Sequence, residues 1–497
     1  MNQKKLEGQW LLLNYLGLFS ILIGFIVLLP IVSLLFLRAE IGNFHYFLIP
    51  GTITLFFGLS VTLIFKKYEK AKLRKNHDAI LILYIWLFAI IASAMPFYLS
   101  GNYTFAQAIF ETSSGYSTTG LTVTDVSRSP QVFLLYRSLL QFFGGAGLVL
   151  ILTAAVSDKF GMRLYNAEGH SDKLLPNLIR SGRVFIGIYI LLITLGVLAY
   201  SLFGMSFFDA FNHSICAVAT GGFSTHPESI GYYQSVQIET ITIFLMIAGG
   251  TNFVVHFLFL SKKIKSAIKH IEVKSFFLIL IMGVLVSLIY LIPHYQQNVG
   301  QAFRHSLFHL VSALTGTGYQ ITDSFHVFPQ PFVLIIILFM VFGGGMGSTT
   351  GGLKQYRVAV LFKSLYWHIN DLLSHKKLIR KRYINRLGNK TVLDKEDILN
   401  SNMYVVLYAS TLIIGTLVFA SFNQNSLTDS LFEYASTLGT VGLSVGITGP
   451  NAHPIILWFS SLSMFLGRLE FFVIFVAISR LSDDIFRRHP THKHVNP

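Results

Sequence analysis

Apolar positions gather in long runs separated by short polar stretches, and the runs are the length of bilayer crossings. Windows of about 20 or more mostly apolar residues fall near 11–37, 46–65, 78–100, 132–156, 183–204, 236–260, 274–293, 331–361, 402–422 and 454–479. Ten crossings predict an all-α polytopic membrane protein, because helices satisfy their backbone groups internally in lipid. Between the third and fourth windows lies a weakly polar stretch rich in Thr, Ser and Gly. Similar stretches follow the fifth, seventh and ninth windows. They are too apolar to be ordinary loops.

Aligned without gaps, these stretches expose an internal repeat. They read TFAQAIFETSSGYSTTGL (104–121), SFFDAFNHSICAVATGGF (206–223), AFRHSLFHLVSALTGTGY (302–319) and SLTDSLFEYASTLGTVGL (426–443). Thr104, Ser206 and Ser426 are good helix N-caps, with Ala302 the departure. About ten helix-compatible residues follow before a Thr/Gly-rich turn. Each segment therefore predicts a half-helix that dips into the membrane and returns as irregular backbone. Such backbone is tolerated at membrane depth only when it is buried in protein or lines a water-filled cavity. A long N-terminal hairpin (1–76), four units (77–160, 180–261, 274–362 and 400–480) and a tail (481–497) divide the chain.

The triplets that end the half-helices carry the chemistry. A dehydrated cation needs a cage of oxygens, which backbone carbonyls can supply, and glycine allows the angles that turn them toward an axis. Thr118-Thr119-Gly120, Thr220-Gly221-Gly222, Gly316-Thr317-Gly318 and Thr440-Val441-Gly442 are expected to be four walls of one filter. Each half-helix points its negative dipole end toward that filter. The rival reading, four structural turns in a bundle, is weakened by the matched positions of all four copies.

The windows after the triplets repeat as well, with Gly144-Gly145, Gly249-Gly250, Gly343-Gly344-Gly345 and Gly467 permitting bending or close packing. In the third, residues 343–352 (GGGMGSTTGG) cannot remain a regular helix, since each interior Gly costs about 1 kcal/mol against Ala. An intramembrane gate beneath the filter is expected there, formed by Gly343, Gly344, Gly345, Gly347, Ser348, Thr349, Thr350, Gly351 and Gly352. A nucleotide P-loop does not fit, because Lys354 neither follows a Gly directly nor precedes a Ser or Thr. Arg468, in the middle of the last window, is costly unless it faces water or a partner. An electrostatic barrier in the pore is the favoured role and a structural pair with a carboxylate the alternative. Glu111, His213, His309 and Glu433 share one repeat position, which suggests bracing of the short helices rather than acid–base chemistry. His305 and His309 are spaced like a metal pair, but the repeat already explains His309.

Composition and charge narrow the class. Hydrophobic residues make up 53% and charged residues only 12%, with a mean hydropathy of +0.60. A soluble chain would carry about 25% charged residues. The lone Cys216 offers no intramolecular disulfide and no cysteine zinc site. The first apolar run, from Trp10 to Leu37, exceeds a signal-peptide core of about 7–15 residues and is read as a retained helix. The net charge of +15 is not a nucleic-acid signature, since Lys and Arg cluster in alternate loops. Lys66, Lys67, Lys70, Lys72, Arg74 and Lys75 form one cluster and Lys262, Lys263, Lys265, Lys269 and Lys274 another. Lys376, Lys377, Arg380, Lys381, Arg382 and Arg386 form a third, and Arg487, Arg488 and Lys493 mark the tail. This positive-inside asymmetry predicts cytoplasmic termini. Segments 157–182, 261–274 and 362–400 then face the cytosol, open to anionic lipid and a protein partner.

The strings SSGYSTTGLT (113–122), ATGGFSTH (219–226), TGTGY (315–319), TVGLS (440–444) and GGGMGSTTGGLK (343–354) resemble the TrkH/KtrB superfamily of potassium transporters. The two extra spans before the first unit are similar to the TrkH branch. That resemblance implies potassium uptake across a bacterial inner membrane, with potassium bound at the triplet carbonyls and no organic cofactor. It further implies a homodimer with one pore per protomer and a cytosolic nucleotide-binding regulatory subunit (TrkA/KtrA-like) acting on the glycine-rich loop. An Arg matching Arg468 lies below the filter. Sodium-preferring relatives replace the first filter Gly with Ser, so Gly120 favours potassium, with sodium or mixed transport the runner-up. An ion-coupled secondary transporter would show two inverted halves, and no polar constellation suggests an enzyme.

Overall fold

The computed structural model describes residues 3–68, 77–148, 178–373, 382–386, 389–422 and 426–486. The long α1 (Gln3–Leu28) and α2 (Phe44–Phe65) form an N-terminal hairpin. Four groups follow, each a long helix, a short helix and an interrupted helix. The first is α3 (His77–Leu99), α4 (Phe105–Tyr116) and α5 (Gln131–Ala146). The second is α6 (Leu178–Leu202), α7 (Phe207–Val218), α8 (Val236–Gly250) and α9 (Phe253–Leu260), with the short connector α10 (Ile264–Ile268). The third is α11 (Ile271–His294), α12 (Val299–Leu314), α13 (Gln330–Val341) and α14 (Gln355–Leu372). The last is α15 (Lys395–Ala420), α16 (Leu427–Gly439), α17 (Pro454–Leu469) and α18 (Phe471–Phe486).

Among the described residues, six unbroken helices are long and apolar enough to cross a membrane. Large apolar side chains point outward from them, among them Phe56, Leu63, Ile289 and Ile413. The chain is a multi-pass membrane protein.

The four windows after the triplets, whose glycines were expected to permit bending, are the ones that break. The second and fourth bend by 104°, between α8 and α9 and between α17 and α18. Asn252 opens the second bend by capping α9, its side chain accepting from the Val254 nitrogen at 2.9 Å. Glu470 turns the fourth with φ of +66°, a left-handed geometry rare for a side-chain-bearing residue. The third window is interrupted by the glycine-rich loop between α13 and α14. The first ends at Ala146, followed by Gly147 at φ +83°; residues 149–156 lie outside the described residues.

Glycine serves close packing as much as bending. A Cβ at Gly144, Gly249 or Gly467 would run into the carbonyl of Tyr116, Val218 or Leu438 respectively, the residue four before each triplet's last Gly. Helices α1 and α2 approach by the same device: a Cβ at Gly58 would meet the Ile21 nitrogen at 2.6 Å. Glu40, between them, accepts from the Gln131 and Val132 nitrogens at 2.8 and 2.9 Å. A carboxylate there caps the positive end of α5 and ties the hairpin to the first group.

The basic segment 362–400 is more ordered than a plain loop. It continues α14 to Leu372 and contains an antiparallel hairpin of β1 (Tyr383–Arg386) and β2 (Asn389–Val392), with Tyr383 opposite Val392. Ile384 and Leu393 pack there with Tyr356 and Val360. Residues 157–177 of the first basic segment, 374–381 and the histidines of the tail lie outside the described residues.

Candidate functional site

The site begins with helix starts. Thr104, Ser206 and Ser426 cap α4, α7 and α16 by accepting from the nitrogens of Gln107, Asp209 and Asp429 at 3.4, 3.1 and 3.0 Å. Helix α12 starts a turn earlier. Asn298 is its cap, accepting from the Gln301 nitrogen at 3.1 Å, which leaves Ala302 inside the helix and explains its departure from the pattern.

The shared position at Glu111, His213, His309 and Glu433 tethers each short helix to the irregular segment leaving its triplet. Glu111 accepts from the Thr122 hydroxyl at 2.8 Å and the Val123 nitrogen at 3.0 Å. His213 Nε2 pairs with the Ser224 hydroxyl at 3.0 Å. His309 Nε2 accepts from the Ile321 nitrogen at 3.5 Å. Glu433 accepts from the Ser444 hydroxyl at 2.7 Å and the Val445 nitrogen at 2.8 Å. All four reach eleven or twelve residues ahead, so two residue chemistries do one job. No group of three or more metal-ligating side chains occurs among the described residues.

In every triplet the first and third residues have positive φ. Thr118, Thr220, Gly316 and Thr440 stand at +55°, +51°, +64° and +52°; Gly120, Gly222, Gly318 and Gly442 stand at +91°, +72°, +82° and +100°. The middle residues do not share this sign. Alternating the hand of the backbone turns successive carbonyls to the same side. Of the twelve triplet carbonyls, only that of Gly221 accepts a hydrogen bond among the described residues. Buried carbonyls are normally paired, so eleven open acceptors in one place need another partner.

The triplets face one another in a closed ring. A Cβ on Gly120 would collide with the carbonyl oxygen of Gly221, one on Gly222 with that of Thr317, one on Gly318 with that of Val441, and one on Gly442 with that of Thr119. Each wall leans its last glycine on the middle carbonyl of the next, and the fourth returns to the first.

The glycine-rich loop lies against the first residue of every triplet, Thr118, Thr220, Gly316 and Thr440. Its ends are clasped: the Gly343 nitrogen donates to the Leu353 carbonyl at 2.8 Å, and the Gly344 nitrogen donates to Thr350 Oγ1 at 3.1 Å. Gly345 donates to the Gly250 carbonyl at 3.0 Å, and the Gly347 carbonyl accepts from the Phe253 nitrogen at 3.3 Å. Gly347 and Gly352 have φ of +78° and +69°. Ser348 bonds back to the Gly345 carbonyl at 2.6 Å, and Gly351 lies against the Thr440 side chain. Thr349 is the hub. Its hydroxyl pairs with that of Thr220 at 2.8 Å, and its carbonyl accepts from the Thr118 hydroxyl at 3.3 Å. Arg468 also donates to the Thr349 carbonyl, and to the Gly144 carbonyl at 2.5 Å.

Several site residues escaped the sequence reading. Gln141 reaches the second triplet from α5. Arg137, also on α5, donates to Glu111 at 2.7 Å and stacks 4.1 Å from the Phe223 ring centre. An ionisable residue inside an apolar window is itself a signal, and Arg137 carried it. Glu470 holds Arg357 at 2.7 and 3.0 Å, a pairing across 113 residues that spacing does not reveal. Lys354 is buried and donates to the Thr350 carbonyl.

On the opposite side of the ring from the loop, a cavity of about 840 Å³ is lined by the four last glycines, Arg137, Asp125 and Asp323. The Ser127 hydroxyl donates to Asp125 at 2.5 Å and, with Arg128 beside it, holds its carboxyl below the usual range, so Asp125 stays ionised at neutral pH.

Comparison with known proteins agrees with this architecture. Residues 47–488 match the family model described as TrkH, a cation transport protein. The Trk system potassium uptake protein TrkG of Escherichia coli K12 is 34% identical over 429 residues, 83% of this chain and 86% of its own length. TrkH of Salmonella typhimurium, likewise named a potassium uptake protein, is 29% identical over 478 residues, 93% and 96% of the two chains. The crystal structure of the potassium transporter TrkH from Vibrio parahaemolyticus matches with a TM-score of 0.83 at 26% identity, over 96% of this chain and 99% of that one. These relatives are transporters and not enzymes, and the chain belongs to the TrkH family of cation transport proteins.

Proposed function

We propose that the chain takes up potassium across the cell membrane through a filter made of its four triplets. The observation that carries this reading is the closed ring, in which alternating backbone leaves eleven carbonyls open at one axis. Carbonyl dipoles replace the hydration shell of a weakly hydrated monovalent cation. The family membership and the named activity of the relatives point the same way. In this reading the first wall is Thr118, Thr119 and Gly120, and Gly120 in place of Ser favours potassium.

The loop from Gly343 to Gly352 acts as the gate below the filter, and Arg468 holds it in place and adds a positive barrier. The contacts of Thr349 with Thr118, Thr220 and Arg468 support this assignment. A homodimer, a cytosolic nucleotide-binding regulatory subunit and cytoplasmic termini complete the proposal. Their support is the family likeness and basic residues such as Lys262, Lys263 and Lys265 between the second and third groups.

Uptake into proteoliposomes, comparing potassium or rubidium with sodium, tests the function. The native chain should prefer potassium, and Gly120→Ser should weaken that preference. Equal sodium uptake by the native chain would keep the pore and overturn the potassium assignment.

A further inference from the structure

The helices after the triplets begin at matched positions, Gln131, Val236, Gln330 and Pro454, and each is followed thirteen residues on by Gly144, Gly249, Gly343 or Gly467. Ten residues after the start, three of the four hold a buried methionine: Met246, Met340 and Met464. The first holds Gln141 instead, equally buried. Its Nε2 donates to the Gly221 carbonyl at 2.6 Å, and its Oε1 accepts from the Phe223 nitrogen at 3.2 Å.

Two other departures fall in the same second wall. Its middle residue is Gly221, where the other walls have Thr119, Thr317 and Val441. Six residues before its last glycine stands Cys216, where the others have Ser114, Ser312 and Ser436. Those serines brace their own walls. Ser114 and Ser436 accept from the Gly120 and Gly442 nitrogens at 3.0 Å, and Ser312 donates to the Tyr319 carbonyl at 2.7 Å. A cysteine thiol is a weak hydrogen-bonding group and a poor replacement.

The three departures explain one another. Gly221 does not need glycine's backbone freedom, because its φ is not positive. It needs the space: a Cβ there would strike the Gln141 amide. Gln141 occupies that space and supplies, from the preceding group, a stronger brace than the Cys216 thiol, which also meets the Phe223 backbone.

We propose that Gln141 is a positioning residue for cation selection, bracing the second wall and weakening the Gly221 carbonyl as a cation ligand. The inference rests on the reading of the triplets as a potassium filter. An N–H already bound to a carbonyl competes with a cation for its lone pairs. At the middle level, the carbonyls of Thr119, Thr317 and Val441 are therefore open and the fourth is shared. The ring is electrically lopsided, and a cation at that level sits nearer the three open carbonyls.

The test compares potassium and sodium uptake into proteoliposomes by the native chain, Gln141→Met, and the triple variant Gln141→Met/Gly221→Thr/Cys216→Ser. The single change leaves the buried Phe223 nitrogen only the weak Cys216 thiol and frees the Gly221 carbonyl, and should lower the potassium-to-sodium ratio about tenfold. The triple variant gives the second wall the pattern of the others and should recover the ratio. If Gln141→Met does not assemble, Gln141→Asn, too short to reach the Gly221 carbonyl, should show the same loss of ratio. A ratio unchanged in the folded single variants, or one the triple variant does not recover, would overturn the role of Gln141; a fall in rate or Tm alone would mark it as merely structural. Equal potassium and sodium uptake by the native chain would instead overturn the potassium reading, and this inference with it.

Discussion

The Arg468 guanidinium donates to the Thr349 carbonyl, so a cation on one interrupted helix holds the loop that interrupts another. The same carbonyl accepts from Thr118, the first residue of the first triplet. One oxygen thus joins α17, the loop and the ring. Neither expected role for Arg468 foresaw this latch on backbone carbonyls.

Replacing Arg468 with Gln should raise rubidium uptake by about tenfold, the worth of one charge-assisted hydrogen bond of roughly 1.4 kcal/mol holding the loop. The check is initial uptake rate per reconstituted protomer. A lower rate in a protein that elutes as a single folded peak would contradict the latch.

Removing Gly347–Thr350 should also raise uptake, because it deletes the hub residue together with its contacts to Thr220, Val218 and Gly249. Thr349→Ala removes only the hydroxyl and should give a smaller increase. If the shortened loop leaves the rate unchanged, the gate lies elsewhere.

The closed ring predicts comparable damage from all four last glycines. Gly222→Ser, Gly318→Ser and Gly442→Ser each push a side chain into a neighbouring carbonyl, as Gly120→Ser does. Each should lower the potassium-to-sodium ratio by about tenfold, equivalent to roughly 1.4 kcal/mol. Competitive rubidium and sodium uptake measures this, and an effect confined to Gly120 would argue that the walls do not share one axis.

Arg357 and Glu470 are nearly buried and pair at 2.7 Å. Glu470→Ala should destabilise the detergent-solubilised protein by about 3 kcal/mol, since it strands a buried cation. Arg357→Met/Glu470→Ala should recover much of that loss. Thermal unfolding of the two variants gives the comparison, and equal Tm values for the single variant and the native chain would refute it.

The ten apolar windows and the four matched Thr/Gly segments were readable because bilayer length and glycine's backbone freedom leave strong one-dimensional marks. The breaks after the triplets were less so. In the second group, Thr251 and Asn252 turn the chain at a spot no more polar than many straight helices. The β-hairpin at 383–392 was hidden by its basic composition, since four-residue strands carry little periodicity. Triplet residues could be named from spacing alone, but their order around the axis could not. That order depends on which carbonyl each glycine meets, and Gln141 became visible only beside Met246, Met340 and Met464.

Because all four walls belong to one polypeptide, each can mutate by itself. In a channel assembled from four identical subunits, a change such as Ser to Cys beside the filter would strike every wall at once, and its cost would be multiplied fourfold. Here the cost falls on one quadrant and can be offset by a single residue on an adjacent helix. With the ring as the proposed filter, this arrangement gives evolution a way to adjust ion preference in small, separately reversible steps.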